Sequence, residues 1–223
     1  MKTKHKHRRL PAGPSAYTLV EVMIVTAIVG MVITGALAVF TQSHLALFVS
    51  VEKLAINKDM RQFTGEMAQF ARNANHFYIY ESFQTADRND AADRKTRGNS
   101  GDFLVLISQK PHPDQDSPVM ITGLTGFYRA AASGNRGPVR KFEIAYAEAD
   151  YKDAATTQVE TLLPSVSTMN SNEVVMELTE GLANGDLFLN YEDRSIMVKG
   201  KIYHGNEYKR LTDTYNFTVT PRG

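Results

Sequence analysis

The chain has no cysteine in its 223 residues. Disulfides, thiolate metal sites and a cysteine nucleophile are therefore excluded, while the compartment is left open. No proline falls between positions 15 and 110, so nothing there interrupts a helix. The first 16 residues hold no acid, and Val22 to Val51 hold no Asp, Glu, Lys or Arg. Chemical motifs are equally sparse. There is no His-Glu-x-x-His and no EF-hand spacing, and Gly98-Asn99-Ser100-Gly101 lacks the residue that a nucleophile elbow carries between Ser and the second Gly. No internal repeat is visible. The remaining composition is ordinary for a folded protein, and the length fits one domain plus an anchor.

What is present is concentrated at the N-terminus. Lys2, Lys4, Lys6, Arg8 and Arg9 make a basic leader. Without it, net charge would move from +1 to −4, because 20 basic residues would face 24 acidic ones. The body therefore offers no overall basic footprint, and no nucleic-acid partner is expected. Leu19 to Phe40 is a run of 22 residues, about 33 Å as a helix and enough for a bilayer core. The excess of Lys and Arg before it predicts a cytoplasmic N-terminus and an exported body.

Three readings of this region compete. One is an uncut signal anchor. A second is a secretory signal peptide cleaved after Ala36-Leu37-Ala38. The third is a signal cut between Ala16 and Tyr17, which leaves the apolar helix on the mature protein. Glu21 separates them. An acid near the start of an apolar helix is costly, and the first two readings give it no purpose. A cut before Tyr17 creates an α-amine four residues away, protonated at neutral pH. Amine and carboxylate then pair within or between helices, with the carboxylate at the positive end of the helix dipole.

Ala16-Tyr17-Thr18-Leu19-Val20-Glu21, after a basic leader and before an apolar helix, resembles the type IV prepilin signal. Here Ala16 stands where that family usually has Gly, and Tyr17 where it more often has Phe. The resemblance implies cleavage before Tyr17 and its N-methylation by a dedicated membrane prepilin peptidase. It makes Ala16 and Tyr17 the processing residues, with Leu19 and Glu21 in the assembly motif. Thr26, Gly30, Thr34 and Ala38 recur every four residues as a small-residue stripe of the kind that lets helices approach in a membrane. Gly30 falls where pilin-like helices often carry a glycine; Ala38 stands near the place of the proline that many major pilins have.

Beyond Phe40, Ile56, Met60, Phe63, Met67, Phe70, Ala74 and Phe77 alternate steps of four and three, one apolar face of an amphipathic helix. One helix is predicted from about Tyr17 to about Asn75. Residues 84–101 mix Asp87, Arg88, Asp90, Asp93, Arg94, Lys95 and Arg97 and close on Gly98 to Gly101, the pattern of a solvated mobile loop. Strands follow: Phe103 to Ser108, a continuous apolar run, and then alternating segments, Arg140 to Ala147; Val174, Met176 and Leu178; Leu187, Leu189 and Tyr191 after an Asn184-Gly185 turn; Ile196 to Tyr203 before a Gly205-Asn206 turn; and Tyr215, Phe217 and Val219. The expected fold class is α+β, a long N-terminal helix packed on an antiparallel sheet. The expected organisation is a cleaved leader 1–16, a membrane or filament-core helix 17–41, its amphipathic continuation 42–77 and a β-rich domain 78–223.

Leu178-Thr179-Glu180-Gly181-Leu182, then Leu187-Phe188-Leu189-Asn190-Tyr191, and the closing Phe217-Thr218-Val219-Thr220-Pro221-Arg222 resemble the large J-type minor pseudopilins of type II secretion. The Leu-Pro that often opens their next strand is replaced by Ser195-Ile196-Met197. Removing 16 residues from 223 leaves 207, long for a major pseudopilin of this resemblance.

Candidates for chemistry are few. His44, His76, His112 and His204 are scattered, and each reads as a surface or helix-end histidine. Asp114 and Asp116 offer oxygen ligands without EF-hand spacing. Asn216-Phe217-Thr218 matches a glycosylation sequon but lies in a predicted strand. No catalytic residue, metal or cofactor is expected, and the chain reads as a structural subunit, not an enzyme. The resemblance implies partners in other pilin-like subunits, the prepilin peptidase, the inner-membrane assembly machinery and the membrane itself. It implies a single pass through a bacterial inner membrane, with the N-terminus cytoplasmic and the body periplasmic. The competing expectation is a membrane-anchored or secreted periplasmic enzyme or binding module.

Overall fold

A computed structural model describes residues 17–111, 119–130, 136–182, 186–205 and 210–222. The leader with Ala16, and His112, Asp114, Asp116, Asn184, Gly185 and Asn206, lie outside these. The chain divides into two compact units, Met1–Phe48 and Val49–Gly223.

Helix α1, Leu19–Asn73, begins in the first unit and ends in the second. Its ends fall two residues inside the expected ones, within the usual uncertainty of helix termini. Arg72 lies in its last turn, where a cation complements the carbonyl end of the dipole. The chain then turns sharply: the Asn75 N–H donates to the Ile107 carbonyl at 2.8 Å, and the Asn75 side chain accepts from the Gln109 N–H at 2.8 Å. Phe77, assigned by its spacing to the helical face, therefore lies on a strand. Ala74, just past the helix end, is buried.

In the first unit, the N-terminal part of α1 is long and apolar enough to cross a membrane, and none of that stretch is buried within the chain. Leu19, Met23, Met31, Val32, Val39 and Phe40 are all exposed. Water alone would not tolerate so continuous an apolar surface.

In the second unit, α1 turns Ile56, Phe63, Met67 and Ala71 into the core, with Met60 and Phe70 packed against them. This is the stripe read from the sequence. The strands are β1 His76–Tyr80, β2 Ser100–Gly101, β3 Phe103–Lys110, β4 Met120–Arg129, β5 Arg136–Ala145, β6 Lys152–Asp153, β7 Val174–Glu180, β8 Phe188–Tyr191, β9 Ser195–Gly205 and β10 Arg210–Val219; a short helix, α2, spans Val166–Asn170. One sheet holds them in the order β1-β3-β4-β5-β7-β9-β8-β2, with β10 on β9 and β6 on β4. Each of these pairings is antiparallel. The fold is thus α+β, as expected.

The continuous apolar run of β3 has a physical cause: the strand is buried on both faces. Leu104 and Leu106 meet Phe63, Met67 and Phe127 in one cluster beneath α1. Phe103, Val105 and Ile107 meet Tyr80, Phe83, Tyr128 and Phe142 in a second. Parts of 82–99 and 159–169 cover that second face. Residues 84–101 are therefore not simply a solvated loop. Arg88 is buried, its guanidinium donating to the carbonyls of Phe83 and Pro164 at 2.7 and 2.6 Å. Asp90 and Asp93 form a reciprocal cap on a single-turn 3-10 helix, and Ser100–Gly101 joins the sheet as β2. Gly101 is required there, because a Cβ would overlap the Tyr80 carbonyl.

Two strand phases differ from the alternation read in the sequence. In β7, Met176 pairs with Val139 but Val174 pairs with Arg140. The irregular register leaves neighbouring Val175 and Met176 both buried. In β8, Phe188 and Asn190 point inward while Tyr191 is exposed. Leu187 is also buried, but it precedes the strand and donates its N–H to Asp102 at 2.9 Å. β1, β2, β4 and β6 were not anticipated. β4 contains Gly123 and Gly126, which weaken a strand signal. Gly126 makes room for the Phe142 ring, which a Cβ would overlap.

Candidate functional site

The N-terminal turn of α1 gathers the residues singled out by the sequence. The Thr18 N–H and hydroxyl donate to the Glu21 carboxylate at 2.8 and 3.0 Å, and the Glu21 N–H donates back to the Thr18 hydroxyl at 3.3 Å. This is a capping box, in which the residue before the helix and the third residue within it satisfy each other's backbone donors. Thr18 was not assigned a role from the sequence, although Thr-x-x-Glu before an apolar run is its signature. Glu21 thus has a partner inside its own chain. Tyr17 is 84% exposed beside it. Tyr17, Glu21, Val22, Val25 and Thr26 line a shallow hollow along the helix.

The small-residue stripe runs on from there. Successive members are rotated by about 40°, since four residues slightly exceed one turn. The Thr26 hydroxyl donates to the carbonyls of Val22 and Met23 at 2.9 and 3.0 Å, and the Thr34 hydroxyl to that of Gly30 at 2.8 Å. Both hydroxyls are thereby satisfied within the helix, as hydrocarbon surroundings demand. Apart from its chain neighbours and the helix's own backbone, no heavy atom lies within 4 Å of the place a Gly30 Cβ would take, so that face is open. Leu19 and Ala38 are likewise exposed. Ala16 lies outside the described residues.

The second unit contains buried charge, but each group is engaged. Asp102 pairs with the Arg129 guanidinium and accepts from the Leu187 N–H. Burial pushes its carboxyl up to about 6, against the opposing charge and hydrogen bond of Arg129. Burial also acts to raise Glu160, but bidentate Arg94, at 2.7 and 2.9 Å, and the Tyr80 hydroxyl, at 2.7 Å, outweigh it. The Glu160 carboxyl is held below its ordinary range. Burial, then Glu160, pushes the Tyr80 phenol up. Arg94 also stacks over the Tyr78 ring at 3.8 Å. These groups tie 84–101 and 159–162 to the sheet.

His204 on β9 faces Asp59 at 3.0 Å and Glu52 at 3.8 Å. His44 lies against the Phe40 ring, and His76 opens β1. Among the described residues no group of three or more His, Asp or Glu is arranged to hold a metal. Asn216, of the sequon, lies within β10.

Compared with protein-family models, with curated proteins and with solved structures, the chain matches none. The architecture is a long N-terminal apolar helix followed by a β-rich domain, which is compatible with pilin-like proteins.

Proposed function

We propose that this chain is a structural subunit, a minor pseudopilin or minor pilin, of a type II secretion or type IV pilus-like filament. The observation that carries the reading is Glu21 at the start of a helix that then holds no Asp, Glu, Lys or Arg until Glu52, and whose apolar N-terminal surface the chain leaves uncovered. A helix of this kind needs lipid before assembly and other helices after it. In this reading the basic leader stays in the cytoplasm and the body lies in the periplasm. Prepilin peptidase cuts between Ala16 and Tyr17 and methylates the new amine. Glu21 meets that amine, and Thr26, Gly30, Thr34 and Ala38 form the close-packing face against neighbouring pilin-like subunits.

The Thr18–Glu21 capping box favours, on that one point, a second reading: an anchored enzyme or binding module. It gives Glu21 a use that a plain membrane anchor shares. Intact mass and the N-terminal peptide of the membrane-extracted protein decide between the readings. N-methylated Tyr17 at the start supports the filament subunit. A start at Met1 means a plain anchor, and a start at Val39 a secreted domain. Glu21→Gln then separates charge from capping. Filament assembly should fail in both Glu21→Gln and Glu21→Ala while cleavage proceeds. Normal assembly in Glu21→Gln would reduce the residue to a helix cap.

A further inference from the structure

The body carries an excess of acid once the leader is set aside, yet four exposed cations gather on one part of the sheet. Arg136 on β5, Lys199 and Lys201 on β9 and Arg210 on β10 are all exposed. The register places Arg136 opposite Glu180, Glu180 opposite Lys201, and Lys201 opposite Thr214. With neighbouring strands about 4.8 Å apart, this is one row running across the sheet to its margin. Tyr203 lies in the same region, with the Arg136 and Arg210 guanidinia 4.9 and 5.6 Å from its ring centroid. The acid in the row, Glu180, accepts from the Tyr203 hydroxyl. Among the described residues, none of the four cations is in an ion pair within 4 Å.

The row ends at an open backbone edge. β10 pairs with β9 over Arg210–Val219 without a register shift, and among the described strands nothing pairs with its other side. Edge strands are normally blunted by charged side chains, a proline or a bulge. β10 has no lysine, proline or bulge, and its charges are two, Arg210 at its first residue and Asp213. Its acid, Asp213, alternates to the face opposite Thr214 and the Lys201 row. Beside the edge a groove of about 310 Å³ is lined by Glu180, Lys199, Lys201 and Thr214.

We infer that β10 and this cationic row form a docking site for an extended, acidic segment of a partner protein. The segment adds as a further strand to β10 and lays alternate carboxylates over Lys199, Lys201 and Arg210. Backbone pairing supplies the register, and the cations select the sign of the segment. An extended peptide satisfies both the free ladder and the charge, whereas a nucleic acid satisfies only the charge. The Tyr203 ring, buried beneath its guanidinia, offers no face for base stacking. The inference is independent of whether the chain is a filament subunit.

The test uses the full chain in detergent micelles and three fluorescent probes: acetyl-(Glu-Thr)4-amide, acetyl-(Lys-Thr)4-amide and a twelve-residue oligothymidylate. Saturable binding of the acidic peptide is expected, weakening with added salt. Amide exchange over 210–219 should slow at least fivefold. The Lys199→Glu/Lys201→Glu variant, altered only at exposed positions, should lose at least tenfold in affinity with unchanged thermal unfolding. Equal binding of the lysine peptide would overturn the inference. So would oligothymidylate binding as tightly without protecting 210–219, or acidic-peptide binding that ignores salt and the double variant.

Discussion

Asp102 shows how one buried side chain sets a pH response. Its carboxyl, raised by burial, takes up a proton more readily in the folded chain than in the unfolded one. Its contribution to stability is therefore full below about pH 4 and declines as pH rises through about 6. Glu160 has the opposite sign. Its carboxyl is held low, so its contribution is present above the ordinary carboxylate range and is lost as pH falls. Urea unfolding should show Asp102→Asn with a smaller loss of stability than wild type between pH 4.5 and 7. The Glu160→Gln variant should be less stable than wild type throughout that window, with the gap closing as pH falls below it. Asp102→Ala, which strips a buried guanidinium of its carboxylate, should cost about 3 kcal/mol at pH 7. A cost under about 1 kcal/mol would mean that other partners hold Arg129 without Asp102.

At the scale of elements, α1 carries two different amphiphiles in one helix. Up to Phe40 it is apolar around its circumference; from Ile56 it is apolar on one side, because the sheet lies there. Phe63 is the centre of that contact. It is fully buried, with edge-to-face contacts to Phe127, Tyr215 and Phe217 at 5.8, 6.4 and 5.6 Å. Phe63→Ala should lower unfolding free energy by about 4 kcal/mol, read by denaturant titration, while membrane extraction behaviour stays as in wild type. The helix was legible because its period is regular and no proline intervenes. β4 was not, because Gly123 and Gly126 interrupt its pattern for reasons of packing. Gly126 admits the Phe142 ring, and a Gly123 Cβ would lie 2.8 Å from the Ile144 carbonyl.

At the scale of the whole molecule, the division at Phe48 and Val49 separates a unit whose described residues include no buried side chain from one with two hydrophobic clusters. Residues 49–223 expressed alone should therefore fold cooperatively and remain soluble without detergent, checked by a single sigmoidal thermal transition and by size-exclusion chromatography. Aggregation, or a gradual transition, would mean that the N-terminal helix contributes to the core. The same division explains why the proposed assembly role of Glu21 and the proposed docking edge at β10 can be tested by separate variants.

The sequence alone determined the α+β class, the helix to within two residues at each end, the apolar stripe Ile56, Met60, Phe63, Met67 and Phe70, and the apolar segment able to cross a membrane. These are local properties: period, run length and the absence of breakers act between residues close in the chain. It also contained the Thr18–Glu21 cap, whose spacing is local, though the spacing was read for charge and not for capping. Only the tertiary structure decided that Arg88 and Arg94 are structural, since their partners Pro164 and Glu160 are more than 60 residues away. It alone set the phase of β7 and β8, because register depends on the strand opposite. It also brought Arg136 and Lys201 into one row, because strand order cannot be read from spacing along the chain.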